Sequence, residues 1–512
     1  MTKKQVIKYL KDNKMNIQSA NACLFICDLV FDSYVNSYIT NRVNFSPVFC
    51  YISYKHLRSF FQIIPQKHID KIAKKNYMDY LKNPNSLTKK IKKHKDLEKQ
   101  LDNLWKNYQK KKNFLDEKDL LFIYKSMVKI AQEWWYYGAV LEGKGEIINL
   151  EVMPKFAKRH NLDSDKVREM LNVLSHPETQ SVLNTERKDF LDICLYISGN
   201  KKLREDLAQN KFEQILKDKK SSQKIKSYIK KYFWFRTDFY KATETTPKLL
   251  LKKVLSEISK NKRPQVLKEL KEIDNNFRKI NKQKNKLLST LKLTKGDKKE
   301  IRFSRLIIGW LDQRKVGTMK QCYYFFSIIE ETAKKYNLKY HDLAIYVVDE
   351  FGKFLAKKEK IKKKDIIGRN DGVFVVFERN KKVKMFYGRT GKEMFNIATY
   401  LKKQKEVRGQ VASRGSIKKI KGKVRVVYNP TKDKFNKGEI LVTSMTRVEF
   451  VPLMRKAKAI ITNEGGVACH AAIVSREMGL PCIIGTRVAT DVLKTGDRVE
   501  LDLMTGQIKI LR

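Results

Sequence analysis

Asn463-Glu-Gly-Gly-Val-Ala-Cys-His-Ala-Ala-Ile-Val-Ser-Arg-Glu-Met-Gly-Leu-Pro481 is the stretch from which the fold is read. The run before it, Ala459–Thr462, is short, apolar and β-branched, which predicts a strand. Gly465 and Gly466 supply a turn, and the apolar spacing that follows predicts a helix over Ala468–Met478, with His470 in its first turn. Gly479 suits the left-handed residue past a helix end, and Pro481 forbids continuation. In a first turn, backbone N–H groups lack intrahelical acceptors and the helix dipole favours an anion. Neutral imidazole is a nucleophile near physiological pH. A phosphoryl group on His470 would be held by those donors, while the paired glycines allow close backbone approach and Ala471 leaves room beside the ring.

Outward from this stretch, short strands are predicted at Lys423–Tyr428, Glu439–Val442, Cys482–Gly485, Arg498–Leu503 and Gln507–Leu511. A helix is predicted at Arg447–Lys456 and a turn at Ala489–Leu493. Strands mixed with helices suggest a β/β/α domain over residues 405–512. Glycine usage marks its onset, since 14 of the 22 glycines follow residue 365. Residues 366–404 read as a β-hairpin (Val373–Glu378, Val383–Tyr387) with a connecting helix over Lys392–Lys403. Residues 1–365 read as mostly α-helical, in one or two subdomains. Leu97, Leu101, Leu104, Trp105 and Tyr108 keep one apolar face, and similar stripes run through Leu120–Tyr137, Phe212–Phe239, Leu249–Ile258 and Arg305–Tyr336. Lysine-rich stretches such as Lys217–Gln223 and Asn281–Lys286 read as loops or solvated helix faces. The fold class is therefore multidomain, α plus α/β.

Gly465-Gly-Val-Ala-Cys-His470-Ala-Ala-Ile-Val-Ser-Arg476 resembles the active-site signature of the phosphoenolpyruvate-utilising enzymes, the phosphoenolpyruvate synthase and pyruvate phosphate dikinase type. Gly438–Thr446 resembles the family's upstream strand and threonine loop, and Val451–Ala457 the helix after it. Gly479–Thr486, Lys494–Asp497 and Met504–Gly506 resemble its closing strand and turns, and Gly409 with Ala412, Ser413 and Gly415 its opening segment. The resemblance spans about residues 405–512. It implies a swivelling phosphohistidine domain in which His470 takes a phosphoryl group at one site and delivers it at another. Gly465, Gly466, Cys469, Ala471, Arg476 and Thr446 are the implied supports of the phosphate site, with Cys469 lining the site rather than acting as a second nucleophile. Ala468 departs from the family, which often has Thr or Ser two residues before the histidine. The resemblance also implies Mg²⁺ with ATP or phosphoenolpyruvate as donor, and a small-molecule or protein phosphoryl acceptor. No ATP-grasp domain or metal site is recognisable in the sequence, and Gly388-Arg-Thr-Gly-Lys-Glu lacks Walker A spacing. A separate ATP-grasp-type subunit is the expected partner. More weakly, Tyr232–Arg236, His176-Pro-Glu-Thr and Trp310–Lys315 resemble helical linker segments of the same family. Trp310, Asp312, Arg314 and Lys315 are candidates for an acceptor or interface site, set against plain core and surface roles.

The formal charge is +54, with 109 basic and 55 acidic residues. The excess is mostly lysine spread through every segment, without stacking-aromatic motifs or zinc-finger spacing, which argues against nucleic acid and for a solvated surface. Seven cysteines, none in a CxxC pair and most within apolar runs, suit reduced thiols and a cytoplasmic location. The Ala22–Phe31 run is too short to span a bilayer. His56, His68, His94, His160 and His341 show no ligand spacing. Two alternatives stand beside the phosphotransferase reading: a non-catalytic binding or regulatory protein retaining the swivelling fold, and a basic nucleic-acid-binding protein.

Overall fold

The computed structural model describes the chain except residues 14, 37–45, 54–58, 142–146, 261–262, 399–406, 415–416, 429, 431–432, 447–449, 464–468, 487–488 and 512. Met1–Ser164 with His341–Arg512 forms one unit, and Asp165–Tyr340 a second. The chain is mostly helical.

Val373-Phe-Val-Val-Phe377 is buried at every position. A strand of this kind is covered on both faces, and its covering organises the first part of unit one. It belongs to a five-stranded antiparallel sheet of β1 (Met15–Asn21), β2 (Val48–Ser53), β3 (Ser59–Pro65), β4 (Val373–Phe377) and β5 (Lys384–Tyr387). The order is β1-β3-β2-β4-β5. On one face Phe374 and Val376 pack with Val6 and Leu10 of the Lys3–Asp12 helix and Met394 of the Gly388–Ala398 helix. On the other, the Phe377 ring lies 5.4 Å from Phe31 of the Leu24–Asn36 helix. The hairpin predicted within residues 366–404 is β4 with β5, and it extends the N-terminal strands, since β4 also pairs with β2 in the register Val48↔Phe377. Residues 1–365 likewise hold three strands that helical spacing did not reveal. The apolar run of β2 carries no alternation, and one of its two partners, β4, lies more than 300 residues along the chain.

The second sheet has eight strands: β6 (Val407–Arg408), β7 (Gln410–Ser413), β8 (Lys419–Val426), β9 (Ile440–Thr443), β10 (Ala459–Thr462), β11 (Cys482–Ile484), β12 (Arg498–Asp502) and β13 (Gln507–Leu511). Their order is β6-β13-β12-β8-β9-β10-β11-β7. β8 to β11 run parallel, and the remaining pairs are antiparallel. Val424, Ile440, Val442, Ile461, Ile483 and Val499 form its core. Gly506, at φ +73°, sits so close to β7 that an added Cβ would lie 2.0 Å from the Gly409 carbonyl oxygen. Only glycine fits there. Short helices follow β9 (Val451–Met454), β10 (His470–Glu477) and β11 (Ala489–Val492). The helix after β9 is shorter than the predicted Arg447–Lys456, of which residues 447–449 lie outside the described residues.

Unit two packs helices around Phe190, Leu191, Cys194, Ile197, Ile225 and Leu251. Arg187 of the Val182–Gly199 helix cross-links two others, reaching Glu257 at 2.7 and 3.0 Å and Glu269 at 2.7 and 2.9 Å. All seven cysteines are free thiols and six are buried. Among the described residues, no helix is long and apolar enough to cross a membrane.

Candidate functional site

The parallel strands β9, β10 and β11 end together, and side chains that follow such strand ends converge at one edge of the sheet. His470 is the first residue of the helix after β10. Cys469 is its N-cap: its backbone is extended, and its Sγ accepts from the Ala472 N–H at 3.4 Å. At the far end, the Leu480 N–H reaches the Ser475 carbonyl at 2.8 Å and Gly479 takes φ +64°, as the Gly-Leu-Pro sequence requires.

The imidazole is 8% exposed and its Nδ1 lies 2.7 Å from Thr446 Oγ1, in the loop after β9. Thr446 is itself buried. The loop is held by the Thr443 hydroxyl, which donates to the Met445 carbonyl at 3.2 Å. Thr446 Oγ1 can accept from Nδ1–H, and in that tautomer Nε2 keeps its lone pair and is the nucleophilic nitrogen. That Nε2 is buried. Ala471, next in the helix, is 2% exposed. Beneath the helix, burial pushes the Cys482 thiol up to about 12, so it is a core thiol rather than a reactive one.

Arg476 sits at the opposite end of the helix from His470, where its Nε donates to the Ala412 carbonyl at 2.9 Å and fastens β7. Gly465, Gly466 and Ala468, like Gly415 and His56, lie outside the described residues. A group the sequence reading passed over joins the strand ends. Asn463 donates to Thr490 Oγ1 at 2.5 Å and accepts from the Thr490 N–H at 3.0 Å. The Thr486 hydroxyl donates to the Thr462 carbonyl at 2.9 Å. The available signal was the recurrence of Thr and Asn directly after the apolar strands.

The remaining candidates belong to unit two. Trp310 is buried in the long Lys295–Lys335 helix. Asp312 Oδ2 accepts from the Val182 N–H at 2.9 Å, capping the start of the Val182–Gly199 helix. The Arg314 carbonyl accepts from the Thr318 hydroxyl at 2.9 Å, and Lys315 is exposed. Asp312→Ala is expected to lower the unfolding free energy by about 1 kcal/mol through loss of that cap, read by urea denaturation. Asp312→Asn, which keeps an acceptor oxygen, should recover most of it.

Residues 435–506 match the family described as "PEP-utilising enzyme, mobile domain". A probable phosphoenolpyruvate synthase of Archaeoglobus fulgidus is 54% identical over 82 residues, 16% of this chain and 11% of that protein. The phosphoenolpyruvate synthase of Pyrococcus furiosus is 50% identical over 88 residues, 17% of this chain and 11% of that protein. The chain thus covers about a tenth of the length of these relatives. Among solved structures, aconitase X of Thermococcus kodakaraensis aligns with 21% of this chain and 98% of its own, at 23% identity and a TM-score of 0.17. The match runs over the β9–β12 segment and is centred on the helix that presents His470, so it is this part of the chain that is similar to the mobile domain of PEP-utilising enzymes.

Proposed function

We propose that this chain is a phosphotransferase component that carries a phosphoryl group on Nε2 of His470 between a donor site and an acceptor. The observation behind it is the Nδ1–Thr446 contact at 2.7 Å: in the tautomer whose Nδ1–H donates to Thr446 Oγ1, Nε2 is the nucleophile. The Nε2 lone pair attacks the donor phosphorus, an N–P bond forms, and the P–O bond to the leaving group breaks, its oxygen taking the electron pair. Thr446 stays bonded to Nδ1–H and steadies the positive charge gained by the ring. In the second half, an acceptor oxygen attacks the same phosphorus and the N–P electrons return to Nε2. The helix start, with its N–H groups and positive dipole end, favours the phosphoryl charge.

The donor in this reading is ATP or phosphoenolpyruvate, and the nucleotide-binding domain is supplied by an ATP-grasp-type partner. Among the described residues, no three His, Cys, Asp or Glu side chains converge to hold a metal ion. Mg²⁺ arrives with the nucleotide in this scheme, and no step here runs through it. The acceptor is a small molecule or a protein.

The burial of Nε2 favours a second reading, in which the domain binds or regulates without carrying phosphate. The two are separated by incubating the chain with Mg-ATP or with phosphoenolpyruvate, alone and with co-purifying proteins, and measuring intact mass at alkaline pH. A gain of one phosphoryl group that is lost in acid and maps to the His470 peptide is the result expected. No gain under any of these conditions leaves the binding reading.

A further inference from the structure

The Asn281–Lys286 run, which reads as solvated, holds a lysine that is not. Lys284 is 5% exposed. Among the described residues its Nζ has one hydrogen-bond partner, the His176 carbonyl at 3.4 Å. An ammonium has three donors, and burying it with one long contact is costly. Arg305, from the Lys295–Lys335 helix, lies alongside. Its Nη1 donates to Glu178 Oε1 at 2.8 Å and its Nη2 to the Leu174 carbonyl at 3.2 Å. Its Nε is buried and has no partner among the described residues. Among the described residues the carboxylate facing the two cations is Glu178, on the rim with its side chain 72% exposed.

Both cations point at residues 174–178, the segment joining the Ser164–Leu174 and Val182–Gly199 helices. The same segment contains His176, whose Nδ1 donates to the Pro177 carbonyl at 2.9 Å. Burial, then the neighbouring Arg305, lower the pKa of Lys284, and burial lowers that of His176. Capping the C-terminus of the Ser164–Leu174 helix explains the Arg305–Leu174 bond. It does not explain a second, buried cation. Two positive charges with donors to spare and one loosely held carboxylate are the requirements of a dianion.

We propose that Lys284 and Arg305 form a binding site for a small phosphate-bearing anion, which enters by displacing the Glu178 carboxylate from Arg305. The site lies wholly within unit two and does not depend on phosphoryl transfer by His470. The test uses the full chain carrying His470→Ala, so that this histidine contributes nothing. Thermal unfolding is followed in inorganic phosphate and in chloride of equal ionic strength, and phosphate binding is measured by equilibrium dialysis. Phosphate is expected to raise the Tm above that in chloride. Lys284→Met should raise the Tm in chloride, abolish the phosphate-dependent rise and weaken dialysis binding by about tenfold or more. Arg305→Met should weaken binding similarly, Glu178→Gln should tighten it, and Lys286→Met, at an exposed position two residues away, should change nothing. If phosphate gives no rise beyond chloride, or if Lys284→Met lowers the Tm and leaves binding intact, the two cations are helix caps and the proposal is wrong. An equal loss in Lys286→Met would mean nonspecific attraction and overturn it as well.

Discussion

His470→Ala leaves the chain folded and removes the phosphoryl acceptor completely, whereas Thr446→Val leaves the acceptor and slows its labelling by about 10²–10³-fold. The two changes act on different parts of one geometry. Alanine at position 470 keeps the helix start, because the N-cap bond belongs to Cys469 and the Ala472 N–H. Valine at 446 removes the oxygen 2.7 Å from Nδ1 and leaves a buried ring nitrogen facing a methyl group. The ring then loses its fixed orientation, and a share of it carries the proton on Nε2, where it blocks attack. Thr446→Ser restores the hydroxyl and should label within about threefold of the native rate, the gap reflecting only a lost methyl contact. Rapid-quench measurement of alkali-stable label in all three variants checks this. Equal rates in Thr446→Val and the native chain would show that the threonine only packs against the ring.

That site was legible in parts. Gly479 and Pro481 bracket a helix end in sequence, and an apolar strand before a glycine pair announces where the helix begins, so the sequence alone places His470 at a helix start. The pairing of Thr446 with it could not be placed so, since the two are joined by the parallel neighbouring of β9 and β10, and parallel pairing leaves no local trace. Asn463 and Thr490 were missed for the same reason. Asp312 shows the converse error: a carboxylate on a helix face reads as available, and its partner, the Val182 N–H, lies 130 residues earlier. Lys284 was misread because helical periodicity ranks a lysine as solvated wherever it falls. The N-terminal strands failed on period, since β2, Val48-Phe-Cys-Tyr-Ile-Ser53, is an almost unbroken apolar run that offers no alternation to detect.

Asp28 sets the largest stability effect. The Leu24–Asn36 helix buries this carboxylate to 5% exposure beneath the five-stranded sheet. Oδ2 accepts from the Val348 N–H at 2.8 Å, while Oδ1 is buried with no partner among the described residues. Burial pushes its pKa up to about 7, against the opposing pull of the Val348 bond, and nearby Asp32 and Glu350 add to the rise while Arg369 subtracts. The unfolded chain releases the same proton near the ordinary carboxylate value of about 4. Between those two values the folded state holds a proton that the unfolded state lacks, so stability falls as pH rises. The contribution is full below about pH 4 and lost above about pH 7. Three pKa units correspond to about 4 kcal/mol at most. Asp28→Asn keeps an oxygen for the Val348 N–H and cannot ionise. Its unfolding free energy should match the native protein near pH 4.5 and exceed it by about 2–4 kcal/mol at pH 8. Urea denaturation of both chains at the two pH values measures the difference directly, and other titrating groups cancel in the comparison. If the two curves stay parallel across that window, Asp28 is ionised in the folded protein and its charge is met by the Val348 N–H and Arg369.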